Sequence, residues 1–276
     1  MLASEAMTIR TIKVVSFPLR KMARQGKLRV ALFLAERCSG LESFFDLNRQ
    51  SEKKYEIVGA LLTTSRSQAI PVLDRWRVPW RVNDIQDFYR LRGTKVRDLS
   101  LRQDFDRQSL KLIADFEPAC IALYGYIYIL TGPILQNYPG RIINVHDSDL
   151  TIHDKNGGPK YCGLHATRDA IIARETHTRS SVHLVTEDLD AGPMLAVSRP
   201  YPVHGELIDS ALELGAMDAI KAYAYAQREW MMRESWPGLL DTALELLARK
   251  GASLNGQTAS AVPGWIASKL REGGRS

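Results

Sequence analysis

The stretch ACIALYGYI, from Ala119 to Ile127, decides the fold. A continuous apolar run of this kind suits a central strand, because strands covered by helices on both faces lose their polar alternation. Just before it, Phe105 to Phe116 carries apolar residues at helical spacing, and after it RIINVH (Arg141 to His146) reads as another strand. Further out, RVALFLA (Arg29 to Ala35) is a first buried strand, and SGLESFFDL (Ser39 to Leu47) is its helix, with Ser39 or Gly40 near the N-cap. Tyr55 to Thr64 is a second strand, Gln68 to Trp76 a helix and Val78 to Val82 a short third strand. Phe88 to Leu101 carries too little apolar period to place. Strands joined by crossover helices predict an α/β chain: a mostly parallel open sheet with helices on both faces.

Beyond His146 the pattern changes. Ser180 to Thr186 and Met194 to Val203 are strand-like and joined by DLDAGP (Asp188 to Pro193), which predicts a hairpin or a change of strand direction. A C-terminal helical segment follows: Leu207 to Met232 has helical period, Pro237 breaks it, and Leu239 to Lys250 is a second helix ended by Gly251.

A length of 276 residues suits one good core with tails. The division expected is a basic extension over 1–28, a folded domain over 29–250 and a tail over 251–276. Hydrophobic residues at 45% and charged residues at 25% are ordinary for a soluble globular protein. No run approaches the roughly 18 to 20 apolar residues that a membrane span needs. The formal charge of +6 comes from the start of the chain, where Glu5 is the only acid before Leu34, against Arg10, Lys13, Arg20, Lys21, Arg24, Lys27 and Arg29. The rest is near neutral, so nucleic acid is not the expected partner. Cys38, Cys120 and Cys162 form no CxxC pair, which fits free thiols in a reducing, cytoplasmic setting and gives no metal site.

Open parallel sheets bind ligands beyond the carboxyl ends of their strands, which is where Asn144 and His146 fall. Two residues apart on a strand, they project to one face. An amide donor beside an imidazole suits an acyl-type transfer, in which a carbonyl oxygen becomes an oxyanion and a proton must move. An acid on the DLDAGP turn, Asp188 or Asp190, could take that proton or hold the imidazole. By spacing alone, the same residues also fit an ordinary polar strand end and turn.

Taken together, RIINVH (Arg141 to His146), KYCGLHATRDAI (Lys160 to Ile171) and SSVHLVTEDLDAGPML (Ser180 to Leu195) resemble the folate-dependent formyltransferase family. Within it, GLHAT (Gly163 to Thr167) is most like the phosphoribosylglycinamide formyltransferase branch. The resemblance implies a Rossmann-like fold and transfer of a formyl group from 10-formyltetrahydrofolate to an amine, with phosphoribosylglycinamide of purine biosynthesis as the leading acceptor. It places the catalytic Asn, His and Asp on Asn144, His146 and Asp190, not Asp188. More thinly, it covers Arg29 to Leu247, putting Arg102 on the arginine that meets the folate glutamate tail, and Ile129 and Leu130 on the folate-lining segment. His165 and His183 fall on supporting positions, and both read as core or second-layer histidines. The partners implied are small-molecule substrates, without membrane, nucleic acid or metal, and a homo-oligomer is left open.

The acceptor side departs from the family. The glycine-rich phosphate loop is AERCSG (Ala35 to Gly40), so Arg37, Ser39 and Gly40 are the acceptor-binding candidates, with Glu36 opposing an anion. The acid that holds the acceptor falls on Met232, with Glu229 and Glu234 near it, and Tyr128 replaces a folate-contacting arginine. The loop after the catalytic His is the longer, polar DSDLTIHDKNGGP (Asp147 to Pro159), a candidate for a different acceptor wall. Other readings are transfer to another amine (an amino sugar or a hydroxylamine-type metabolite), hydrolysis as in formyltetrahydrofolate deformylase, and a nonenzymatic relative. Deformylase carries an added N-terminal domain, for which the residues before the first strand are too few. Methionyl-tRNA formyltransferase fits least, because GLHAT and the helical C-terminus differ from it.

Overall fold

The computed structural model describes residues 23–24 and 26–253, with side chains over 26–249. Most of the expected basic extension and C-terminal tail lie outside the described residues. A short strand β1 (Ala23–Arg24) pairs with β2 (Lys27–Leu34), which leads into α1 (Leu41–Arg49). There follow β3 (Tyr55–Leu62), α2 (Ile70–Arg75), β4 (Trp80–Val82), α3 (Ile85–Arg90), α4 (Arg102–Ile113), β5 (Cys120–Tyr124), α5 (Gly132–Asn137) and β6 (Ile142–His146). The second half holds α6 (Ala166–Ile172), β7 (His177–Thr178), β8 (Ser181–Leu184), β9 (Met194–Val197), β10 (Tyr201–Pro202), α7 (Gly205–Glu213) and α8 (Met217–Ser253).

The main sheet runs β4-β3-β2-β5-β6-β8-β9, parallel from β4 to β6 and antiparallel from β6 to β9. Every residue of β5 is buried, as its apolar run requires. Along β2, Val30, Leu32 and Leu34 face one core with Phe44, Trp236, Leu239 and Leu244, while Phe33 faces the other with Ile113, Leu123 and Ile134. Helices therefore cover both faces. Because β2 lies between β3 and β5, the chain winds outward in both directions from it, and the crevice between the loops after β2 and β5 is the topological switch point where such sheets bind ligands. Those loops touch: Tyr124 Oη donates to Ser39 O at 2.8 Å, and a Cβ on Gly125 (φ 70°) would lie 2.6 Å from Arg37 O.

Two sequence expectations give way. Pro237 lies inside α8, which runs unbroken over 37 residues and past Gly251, while the break between the C-terminal helices comes at Gly215 (φ 65°). A helix-interior proline costs about 3 kcal/mol, but Trp236, Leu239, Leu240, Ala243 and Leu244 around it are all buried, and this packing outweighs the lost hydrogen bond. The stretch that carried no period, Phe88 to Leu101, holds the end of the six-residue α3, which Asp84 caps by accepting from the Gln86 and Asp87 amides and which is too short for a periodic signal.

The β8–β9 hairpin turns where only glycine fits. A Cβ at Gly192 would sit 1.8 Å from Leu184 O, whereas one at Gly205 meets nothing within 4 Å. Gly192→Ala should cost about 2 to 4 kcal/mol in urea unfolding, while Gly205→Ala should be neutral or stabilising by up to about 1 kcal/mol. Equal midpoints for the two variants would contradict this account of the turn.

Candidate active site

The antiparallel register sets Asn144 opposite His183 and His146 opposite Ser181. Asn144 and His146 thus share a face of β6 at its carboxyl end, and the hairpin turn brings Asp190 to them. His146 Nε2 lies 3.4 Å from Asp190 Oδ2, and His183 Nε2 lies 3.5 Å from Asp190 Oδ1. Asn144 Nδ2 is 3.3 Å from His183 Nε2, and His183 Nδ1 donates to Leu184 O at 2.9 Å. His183 Nε2 therefore accepts from Asn144 when neutral and faces Asp190 as a donor when protonated.

Asp190 is 9% exposed and held at φ 53°, left-handed backbone that a non-glycine residue rarely adopts. Burial alone would raise its pKa. A hydrogen bond from His183, the charge of the nearby His146 ring and the Gly163 amide (2.7 Å) outweigh burial and hold the carboxyl at about 2. The GLHAT segment thus contributes a backbone donor to the acid. Asp188, by contrast, is exposed.

Four buried side-chain atoms among the described residues have no hydrogen-bond partner: His146 Nε2, Glu229 Oε1, Asp106 Oδ1 and Tyr126 Oη. Orphaned buried polar atoms are rare in folded proteins. Here they fall along the crevice: His146 at the end of β6, Glu229 opposite the loop after β2, and the other pair in and beneath the segment after β5. Ile127 and Ile129 beyond β5, with Leu164 and Leu189, leave apolar side chains about half exposed around the crevice, which suits a flat aromatic ligand.

The other sequence candidates divide. Ile129 is exposed, but Leu130 packs into the core, because YIYIL alternates with Tyr126, Tyr128 and Leu130 inward and Ile127 and Ile129 outward. That period-2 signal could have found Ile127 from sequence. Arg102 is drawn inside. It is 2% exposed and donates to Tyr89 Oη (3.1 Å), Ile129 O (3.3 Å) and Val96 O (2.9 Å). His183 is buried as expected, but His165 is exposed at the N-cap of α6 and is not a core histidine.

In the loop after β2, Gly40 (φ 81°) caps α1, Ser39 Oγ donates to Glu229 Oε2 at 2.7 Å, and Arg37 donates to Tyr225 Oη with its guanidinium over that ring. Met232 is core, so the acid that faces this loop is Glu229, one helical turn earlier. In the loop after His146, Asp147 and Asp149 are buried, whereas Asp154 is exposed. Asp147 pairs with Thr167 and Arg228, Asp149 pairs with Arg179 at 3.2 Å, and the exposed part of the loop is its tip from His153 to Gly157. Arg228, which sequence reasoning missed, is the neighbour of Glu229 on α8, so that helix reaches both the end of β6 and the loop after β2. Cys38 and Cys120 are buried and Cys162 is exposed, all unpaired. No group of three or more His, Cys, Asp or Glu among the described residues is arranged to hold a metal, and no described helix is long and apolar enough to cross a membrane.

A formyl transferase family profile matches residues 28–213. Over 94 residues the chain is 35% identical to phosphoribosylglycinamide formyltransferase of Escherichia coli (strain K12), covering 34% of this chain and 41% of that one. Over 167 residues it is 25% identical to formyltetrahydrofolate deformylase of Bacillus subtilis (strain 168), covering 60% and 48%. The chain thus spans less than half the length of these two curated relatives. Its fold is shared with glycinamide ribonucleotide transformylase 1 from Symbiobacterium toebii, at TM-score 0.61, 19% identity and coverage of 82% and 90%.

Two of the buried acids near the crevice titrate in opposite senses. Burial pushes fully enclosed Asp106 up to about 6, against hydrogen bonds from Thr131 (N 2.7 Å, Oγ1 2.6 Å) and the field of Arg102. A raised carboxyl pKa means the folded state holds the proton more tightly, so stability falls as pH rises from about 4 to 6, by up to about 3 kcal/mol. Asp190 acts oppositely: its stabilisation is present above about 4 and is lost toward about 2. Urea midpoints from pH 4 to 8 should fall less steeply for Asp106→Asn than for the wild type, and parallel curves would contradict this assignment.

Proposed function

Because the chain belongs to the formyl transferase family, we propose that it moves a formyl group from 10-formyltetrahydrofolate onto an amine in the cytoplasm, with phosphoribosylglycinamide of purine biosynthesis as the acceptor. The observation that carries this reading is the buried, unpartnered Nε2 of His146, set 3.4 Å from an ionised Asp190 and beside the Asn144 amide. That nitrogen makes no hydrogen bond, faces the carboxylate and is available to serve a reacting atom.

The donor supplies an activated formyl group on nitrogen. The acceptor amine attacks the formyl carbon, its new C–N bond replaces the bond to the folate nitrogen, and one proton passes from the acceptor nitrogen to the folate nitrogen. As the attack proceeds, the formyl oxygen gains negative charge. Asn144 Nδ2 retains a second N–H beyond the one directed at His183, and that hydrogen with the His146 ring forms the donor pair for the oxyanion. Asp190, ionised at neutral pH, takes the amine proton or steadies the protonated imidazole that carries it. Ile129 and its apolar neighbours line the donor side, Leu130 supports them from the core, and Arg102 holds that segment through the Ile129 carbonyl. Arg37, Ser39 and the Gly40 backbone face the acceptor, and Glu229 on α8 accepts its hydroxyl hydrogens. His183 positions Asn144 and Asp190, while His165 lies at the mouth.

The match to a deformylase makes hydrolysis the competing reading, distinguished by turnover without an amine. With phosphoribosylglycinamide present, Asn144→Ala should lower kcat by about 100-fold or more, the magnitude for a lost oxyanion donor, with the urea midpoint little changed. Asp190→Asn should impair transfer while donor binding persists, and Asp188→Asn should be nearly silent. Near-normal turnover of Asn144→Ala, or a larger loss from Asp188→Asn, would remove the assignment.

A further inference from the structure

The residue that follows His146 is an acid, and in a strand that continued it would point to the opposite face. The chain instead leaves β6 at His146, and Asp147 comes alongside the ring, with its Oδ1 3.8 Å from His146 Nδ1. The two side chains are only 9% and 8% exposed. The imidazole therefore lies between two acids, Asp147 off Nδ1 and Asp190 off Nε2.

Asp147 is held from outside the catalytic strand. Arg228 Nε on α8 donates to its Oδ2, and Thr167 Oγ1 on α6 donates to its backbone carbonyl at 2.6 Å with Oδ2 at 3.2 Å. The next residue is fixed in the same way: Ser181 Oγ donates to Ser148 O, and Ser148 Oγ to Tyr161 O, each at 2.7 Å. With Oδ2 engaged by Arg228, Oδ1 is the oxygen turned to the ring. Arg228 also supplies the counter-charge that a buried carboxylate needs.

A neutral imidazole carries one hydrogen, and the partner of one nitrogen decides which nitrogen holds it. Asp190 already draws on the Gly163 amide and on His183. A hydrogen on Nδ1 directed at Asp147 leaves a bare lone pair on Nε2. That lone pair faces a carboxylate and can make no hydrogen bond with it, which accounts for the unpartnered state of Nε2 despite the 3.4 Å approach.

We propose that Asp147 is a positioning residue for the transfer: it holds the hydrogen of neutral His146 on Nδ1, so that Nε2 is the nitrogen that receives the acceptor's proton. This inference rests on the reading of the site as a formyl transferase. The proton leaving the amine forms a new N–H on Nε2, aimed at Asp190 Oδ2, and the charged ring then has a carboxylate oxygen near each nitrogen. As the bond between the formyl carbon and the folate nitrogen breaks, that proton passes to the folate nitrogen and the ring returns to its Nδ1–H form. Asp147 keeps its charge throughout.

Two measurements on one set of variants test this. Nitrogen NMR of protein with labelled histidine, at alkaline pH where the ring is neutral, reads which nitrogen holds the hydrogen, and the His146 signals are identified by their loss in His146→Asn. The wild type should carry it on Nδ1, Asp147→Ala should move it toward Nε2, and Asp147→Asn, whose amide oxygen still accepts, should retain it on Nδ1. In turnover, Asp147→Ala should lower kcat by about tenfold, with KM for donor and amine changed by less than about twofold, and Asp147→Asn should fall between it and the wild type. Asp147→Ala with Arg228→Gln removes the cation that the single variant leaves unpaired, and it should show the same loss of kcat. Full recovery of kcat in that double variant would make the loss one of folding and overturn the proposal. So would wild-type kcat in Asp147→Ala. A wild type that turns over the donor but carries the hydrogen on Nε2 would overturn the role of Asp147 alone, whereas a wild type with no turnover of the donor would overturn the transfer reading and this inference with it.

Discussion

An ionised carboxylate in a nearly closed site imposes the tightest constraint in this molecule. Taking a charge out of water costs several kcal/mol unless donors surround it, and Asp190 is kept charged by groups from three separate stretches: Gly163 before α6, His146 on β6 and His183 on β8. Each arrangement has its own structural requirement. The Gly163 amide is available because that residue adopts a left-handed turn (φ 72°). The two histidines converge because β6 and β8 run antiparallel in a fixed register. Asp190 reaches them because the hairpin closes over Gly192, where no larger residue fits. The strained backbone at Asp190 is sustained by this surrounding set.

The rest of the fold holds the crevice around that acid. The sheet order places its switch point between β2 and β5, and the loops leaving those strands are locked together by Tyr124 and Ser39 and by the close approach at Gly125. From above, α8 touches both ends of the site through consecutive residues, Arg228 to the acid beside His146 and Glu229 to the loop after β2. From below, α4 holds the segment after β5 through Arg102 and Asp106, one turn apart. The acids near the crevice therefore do different work. Asp190 is charged and faces His146 and His183, Asp106 is a brace whose burial resists its charge, and Asp147 is paired off toward the helix.

What the sequence made legible follows from short-range physics. Apolar runs such as Ala119 to Ile127 cannot be exposed, and alternation along a strand puts Asn144 and His146 on one face whatever surrounds them. The small residues and Gly-Pro of DLDAGP announced the hairpin. The features that escaped depend on tertiary context. Arg102 reads as a solvent-facing cation until the loop over 91–98 folds over it. The acid facing the loop after β2 differs from Met232 by one helical turn, an error in helix phase that only the packing of α8 against the sheet resolves. Pro237 reads as a stop because its local cost is plain in the sequence, while the buried side chains that outweigh it come from distant strands. His165 reads as a core or second-layer histidine because an isolated histidine in an apolar neighbourhood is usually enclosed, yet its place at a helix start turns it outward.

The central claim is that this crevice passes a formyl group directly to an amine. The most direct measurement supplies 10-formyltetrahydrofolate labelled in the formyl carbon, with phosphoribosylglycinamide, and identifies the labelled product by mass. The expected result is label on the acceptor nitrogen, with formate at the level of an enzyme-free control and transfer abolished in Asn144→Ala. Label released as formate, at the same rate with and without the amine, would contradict the account and identify the crevice as hydrolytic.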